Sequence, residues 1–193
     1  QRLPRSSLPI LVGPFRGEVG FEALYWIPFV RRFAKKYQIA PERLIPITRG
    51  GAAVWYGTPQ GIELYALRTP QEVRVETRIQ HAEHKLLKQL VWTPFERAVV
   101  ADVAHTLGVR RYLTLHPSWM FRGLDPFFNS AMSLADLEQQ CLFDALTVPP
   151  VADDLGLPPQ YVAVRFYLRP TFPPRPDIIE FASAAIKQIA LTT

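Results

Sequence analysis

The chain holds a single cysteine, Cys141, in 193 residues. No internal disulfide can form, so a disulfide-stapled scaffold is excluded and a reducing compartment is the natural expectation. No uncharged apolar run reaches the roughly 18 residues that a membrane-spanning helix needs. The opening Gln1-Arg2-Leu3-Pro4-Arg5 lacks an apolar core and is broken by Pro4 and Pro9, so it does not read as a signal peptide. There is no initiating Met, and the chain reads as a fragment or excised domain. Zinc-finger spacing, an aromatic RNP run and a long basic arm are all missing, which argues against nucleic acid as the partner. No G-x-G-x-x-G fingerprint, Walker A loop or G-x-S-x-G elbow occurs, and these absences remove three common nucleotide-binding and hydrolase signatures. No internal repeat or low-complexity tract is present.

What remains is an ordinary globular composition, 48% hydrophobic and 20% charged. That is enough for one sizeable core and unlike collagen, coiled coils or disordered chains. The charge is uneven. Residues 1–60 carry nine basic and three acidic residues, whereas 61–193 carry 13 and 14. A basic first third favours an anionic partner, such as a phosphate, an acidic glycan or an anionic lipid surface, and leaves a nucleic-acid binder as a third reading. The doublets Arg31-Arg32 and Lys35-Lys36 lie one helical turn apart. They read either as the solvated face of one helix or as an anionic contact.

Leu8 to Val12 reads as a buried first strand that stops at Gly13. A turn-rich loop, 13–20, follows. From Phe21 to Tyr37 the apolar residues recur at helical spacing, with Pro28 predicting a kink or a late start. Leu44 to Ile47 reads as a second strand, followed by the glycine loop Gly50-Gly51. Ile62 to Leu67 alternates as a third strand. Residues 70–91 are charged and helical in propensity. Thr93, Pro94, Glu96 and Gly108 bracket a helix with a capping box at its start. Arg111 to Leu115 reads as a fourth strand, and Ser133 caps a helix expected from Leu134 to about Leu146. A proline-rich linker then leads to a β-prone run, Tyr161 to Tyr167, and a helix from Pro176 to Ala190. A lone strand and helix cannot cover both faces of the strand, so a second domain is expected to begin here and to be cut off at Thr193.

Several residues are placed where chemistry is done. Gly13, Gly17 and Gly20 punctuate the first loop, where backbone N–H groups can meet a ligand or merely turn the chain. Glu18, held in that loop, is suited to act as a general base. Glu22 reads as a carboxylate complementing a helix N-terminus. Arg49 beside Gly50 and Gly51 suits a phosphate or carboxylate, or a surface salt bridge. His116 closes the fourth strand at the edge where open α/β sheets bind ligands. Trp55 is a candidate for stacking on a sugar, while Trp26 reads as core. His81 and His84 are three apart on a helix but have no third metal ligand at a recognisable spacing. Cys141 has no His or Asp neighbour that would activate it.

The run Val12-Gly13-Pro14-Phe15-Arg16-Gly17-Glu18-Val19-Gly20-Phe21-Glu22 resembles the opening of a group of bacterial glycosyltransferases of GT-B type, which carry a G-P-F-x-G-E-x-G-W-E loop. Thr48 to Tyr56, His116 to Met120 and Val162 to Tyr167 are similar to later landmarks of that group. Phe21 departs from it, standing where the pattern has Trp. The resemblance implies an α/β fold with a Rossmann-like parallel sheet flanked by helices over 1–147, a linker over 148–160 and a truncated donor-side domain over 161–193. It implies transfer of a sugar from a nucleotide sugar to a hydroxyl of a surface glycan or lipid-linked acceptor; the sequence shows no metal motif, so metal independence is expected. Glu18 would be the base. Arg16, Gly17, Gly20, Arg49, Gly50, Gly51, Trp55, His116 and Arg165 would contact substrate. The setting implied is cytoplasmic, with peripheral contact at an anionic inner membrane face. The alternative is a non-catalytic sugar- or phosphate-binding module that lacks a donor domain.

Overall fold

A computed structural model describes residues 6–84, 89–146 and 175–192. The chain divides into two compact units, Gln1–Pro149 and Pro150–Thr193. In the second unit the described residues form one helix, α8 (Pro176–Thr192). The expected linker, the strand at 161–167 and Arg165 lie outside the described residues.

The first unit is built on four strands: β1 (Ile10–Val12), β2 (Leu44–Thr48), β3 (Ile62–Glu63) and β4 (Leu113–Leu115). All pairings are parallel and the order is β3-β2-β1-β4. This is an α/β fold with an all-parallel sheet, consistent with a Rossmann-like arrangement. Parallel strands need helical crossovers, which cover both faces. The two-residue alternation of β1 follows from that. Ile10 and Val12 join one core cluster, and Leu11 joins the other.

The first cluster is closed by Trp26, by Ile27, Val30 and Phe33 of α2 (Ile27–Lys36), by Met120 and Phe121 of α5 (Ser118–Gly123), by the half-buried Phe127 and Phe128 of α6 (Asp125–Phe128), and by Leu137 of α7 (Leu134–Gln140). The second is closed by Val73 of α3 (Pro70–His84) and by Val99, Val100 and Val103 of α4 (Pro94–Thr106).

Two elements begin alike. Thr93 and Glu96 form the expected capping box on α4. Thr69-Pro70-Gln71-Glu72 repeats the formula on α3, where the Thr69 N–H donates to Glu72 Oε2 at 2.7 Å and the Glu72 N–H to Thr69 Oγ1 at 3.2 Å.

Three expectations are corrected in detail. The stretch after the first loop is helical from Val19, as α1 (Val19–Phe21), a π-helical segment (Glu22–Trp26) and α2. Pro28 lacks an N–H to continue an α-helical ladder, and the wider π turn directly before it absorbs that break. β3 stops at Glu63, because Leu64 begins a 3-10 turn and is fully buried. α7 ends at Gln140 rather than near Leu146, since the Leu142 N–H leaves the helix to donate to the Pro28 carbonyl at 2.9 Å.

The basic doublets are resolved in part. Arg31 donates to the carbonyls of Trp55 and Asp144, and Arg32 to that of Gln139 in the last turn of α7, so both tie neighbouring segments to α2. Lys35 and Lys36 are exposed in its last turn.

Candidate functional site

Open parallel sheets bind ligands beyond the carboxyl ends of their strands, beside the point where strand order reverses. Here that point lies between β1 and β4. β1 leaves the sheet through Gly13, whose N–H donates to the Leu115 carbonyl at 2.9 Å. Gly13 has a φ of +116°, and a Cβ there would stand 2.6 Å from the Ile47 carbonyl oxygen. Only glycine meets both conditions.

Arg16 follows in the same loop but does not project toward solvent. Its side chain is 1% exposed and its Nε donates to Glu96 Oε1 at 3.1 Å. Nη1 donates to Thr77 Oγ1 at 3.1 Å, and Nη2 to Gln80 Oε1. Gln89 locks the loop further, accepting from the Arg16 N–H at 2.8 Å and donating to the Pro14 carbonyl and to Glu96 Oε1. The other oxygen of Glu96 accepts from the Thr93 N–H and lies 3.2 Å from His116 Nε2. His116 Nδ1 accepts from the Ser118 N–H, so the ring proton sits on Nε2 and is given to Glu96. Trp92 packs edge-on against the imidazole. Burial alone would push the Glu96 carboxyl up. The His116 hydrogen bond, the Arg16 charge and the Thr93 N–H outweigh that and hold it at about 2. Two of the residues expected to contact substrate, Arg16 and His116, are thus spent on a buried network that fixes the loop after β1 to α3, α4 and β4.

Glu22 is also corrected. It is 1% exposed, on the π-helical segment, and does not serve a helix end. It accepts from the Thr48 hydroxyl and, at 2.6 Å, from the Tyr56 hydroxyl. Burial pushes its carboxyl above the ordinary carboxylate range, against the pull of those two donors. The Tyr56 hydroxyl is likewise pushed up by burial and by the neighbouring Glu22. Close by, Trp26 Nε1 is buried with no hydrogen-bond partner among the described residues.

The second glycine loop already holds an anion of the chain's own. Gly50 and Gly51 donate their N–H groups to Glu63 Oε1 and Oε2, at 3.1 and 3.0 Å. Arg49 donates to the carbonyls of Phe15 and Gly17, clamping the first loop to the second. Gly20 lies exposed in α1, with open space where a side chain would begin. Trp55 is half-buried and packs on the first core cluster. Glu18 is exposed in the loop, one residue beyond the carbonyl that Arg49 holds, and its backbone caps α1 without a side-chain bond to it.

Beside these loops the carboxyl edge opens into a cleft of about 330 Å³. Arg16, Arg49 and Tyr65 enter it from just beyond β1, β2 and β3, while Val73, Arg74, Thr77 and Arg78 of α3 form its other wall. Tyr65 is 40% exposed, and Arg74 and Arg78 are exposed. Among the described residues, no group of three or more His, Cys, Asp and Glu is gathered as a metal would need. The side chains of His81 and His84 are outside that description. No described helix is long and apolar enough to cross a membrane.

No family model, curated protein or solved structure matches the chain.

Arg74, Arg78 and Tyr65 were not singled out by spacing in the sequence. The signal that could have found them is the repeated Thr-Pro-x-Glu start. It fixes where α3 begins and thereby puts Arg74 and Arg78 one turn apart on one face.

Proposed function

We propose that the chain supplies the acceptor-side half of a GT-B glycosyltransferase, which moves a sugar from a nucleotide sugar to a hydroxyl of a surface glycan or lipid-linked acceptor. The observation that carries this reading is the position of Glu18. It is exposed on the loop leaving β1, at the carboxyl edge of the sheet and next to a loop that Arg49 and Gln89 hold rigid. The resemblance of residues 12–22 to the glycosyltransferase loop supports it.

In this reaction Glu18 takes the proton of the acceptor hydroxyl. The hydroxyl oxygen bonds to the anomeric carbon as the bond to the nucleoside diphosphate breaks, and the diphosphate leaves with the electron pair. Gly17 and Gly20 offer backbone at the acceptor side. Arg16 and His116 act as positioning residues, through the buried network, rather than as direct contacts. Arg165 and the donor site belong to the second unit. The basic first third suits an anionic acceptor at a membrane face.

Glu18→Gln in the complete natural protein tests the assignment. Loss of the base is expected to lower kcat by about 10²–10⁴-fold with KM little changed. Near-normal turnover removes Glu18 from the chemistry.

A second reading, a phosphate-binding module without transfer, is favoured by one observation, the arginine lining of the cleft.

A further inference from the structure

We infer that the cleft between the ends of β1–β3 and α3 binds the phosphate group of a small phosphorylated ligand through Arg49, Arg74 and Arg78, with Tyr65 beside it.

Three observations converge. The first is position. Part of the cleft wall is made by Arg16, Arg49 and Tyr65, which follow β1, β2 and β3 by one to four residues, so it lies at the carboxyl edge of the sheet where such folds take ligands, on the β2–β3 side of the strand-order reversal. Its volume of about 330 Å³ lies at the small end of ligand pockets.

The second is unbalanced charge. Four arginines line the cleft; Glu96 pairs with Arg16, Glu22 lies within electrostatic reach of Arg49, and Arg74 and Arg78 carry the excess charge. Among the described residues, Arg49, Arg74 and Arg78 form no ion pair. Arg49 spends two donors on loop carbonyls, which fixes its guanidinium without neutralising it.

The third is in the helix itself. Arg74 and Arg78 stand at i and i+4, a like-charge spacing that disfavours a helix. No acidic residue lies three or four positions from either one, although α3 carries Glu72, Glu76 and Glu83. Glu72 and Glu76 line a separate groove with Arg68. Glu72 and Glu76 therefore stand off the face that holds the two arginines. A phosphate there would gain charge-assisted, bidentate contacts and relieve the repulsion.

Phosphate binding stands without sugar transfer. Assigning the phosphate to the acceptor rests on the function proposed above.

The test is calorimetry on the 193-residue chain at fixed ionic strength, with pyrophosphate, inorganic phosphate and glucose 1-phosphate as probes. Arg74→Gln/Arg78→Gln is compared with wild type and with Arg97→Gln/Arg110→Gln, which removes the same charge from exposed arginines outside the cleft. Both pairs are exposed, so neither is expected to disturb the fold. Pyrophosphate is expected to bind wild type and the control alike, and the cleft variant at least about tenfold more weakly. Absence of binding to wild type overturns the inference, as does equal weakening in the two double variants. Tighter binding of glucose 1-phosphate than of inorganic phosphate supports the site and identifies a phosphate ester as its ligand. Equal binding also supports the site and shows that it contacts the phosphate group alone. A chain that binds through these arginines, in a protein whose turnover ignores Glu18→Gln, keeps the site and loses the catalytic assignment. The reverse pair of results keeps the catalytic assignment and loses the site.

Discussion

Glu96 makes a demanding test of the buried network, because both of its carboxylate oxygens accept hydrogen bonds from buried residues. Its Oε1 faces Arg16 and Gln89, and its Oε2 faces the Thr93 N–H and His116. In Glu96→Gln the amide NH₂ must point at donors whichever way it is turned, and Arg16 is left buried without a counter-charge. Breaking a buried pair from one side costs about 3–5 kcal/mol. An independent magnitude comes from the proton. A carboxyl held at about 2 rather than the ordinary 4.5 contributes about 3 kcal/mol, at about 1.4 kcal/mol per unit. Because the folded value is the lower one, this stability is present above about pH 4.5 and is lost as pH falls toward 2. Urea unfolding followed by tryptophan fluorescence at a series of pH values isolates it as the difference between wild type and Glu96→Gln. That difference should be about 3 kcal/mol or more at pH 7 and should shrink steadily through the acid window. A difference independent of pH would refute the argument that the ionised carboxylate is what holds the loop.

Glu22 should behave with the opposite sign. Its carboxyl is pushed up by burial, so the folded state favours the proton and loses stability as pH rises from about 4.5 through the raised value. Glu22→Gln keeps an acceptor for Thr48 and Tyr56 and should gain on wild type with rising pH in the same unfolding series. A constant gap between the two would count against it. Gly13→Ala should cost about 2 kcal/mol or more, since the new Cβ meets the Ile47 carbonyl at a φ of +116°. A thermal midpoint within a degree or two of wild type would show that the loop relaxes freely.

Some of this molecule was legible in its sequence because the governing interactions are local. Gly13 ends a strand, Thr93 and Glu96 start a helix, and Gly108, with a φ of +65°, closes the turn after that helix. Each of these is decided within a few residues. The errors arose where a distant partner prevailed. The helix after Ser133 was read too long because its end is set by Pro28, more than a hundred residues earlier. The alternation from Ile62 to Leu67 was read as one strand, but the Glu63 carboxylate turns back to Gly50 and Gly51. Arg16 was read as a ligand contact, and its partner, Glu96, is 80 positions away with no spacing rule to announce it. Glu22 belongs to the same class. An acid at the start of a helix ordinarily faces water. Here the π-helical turn carries it inward to Thr48 and Tyr56.

The paired Thr-Pro-x-Glu caps have a dynamic consequence. On α3 the glutamate is exposed and serves only its own helix, so the first turn of α3 is free to fray on its own. On α4 the same kind of glutamate also receives Arg16, Gln89 and His116. The opening turn of α4 therefore cannot loosen without releasing the loop after β1 and the end of β4. One side chain makes the start of a helix, the exit of the first strand and the exit of the last a single cooperative unit, and amide exchange at the head of α4 should report the unfolding of the sheet rather than of the helix end.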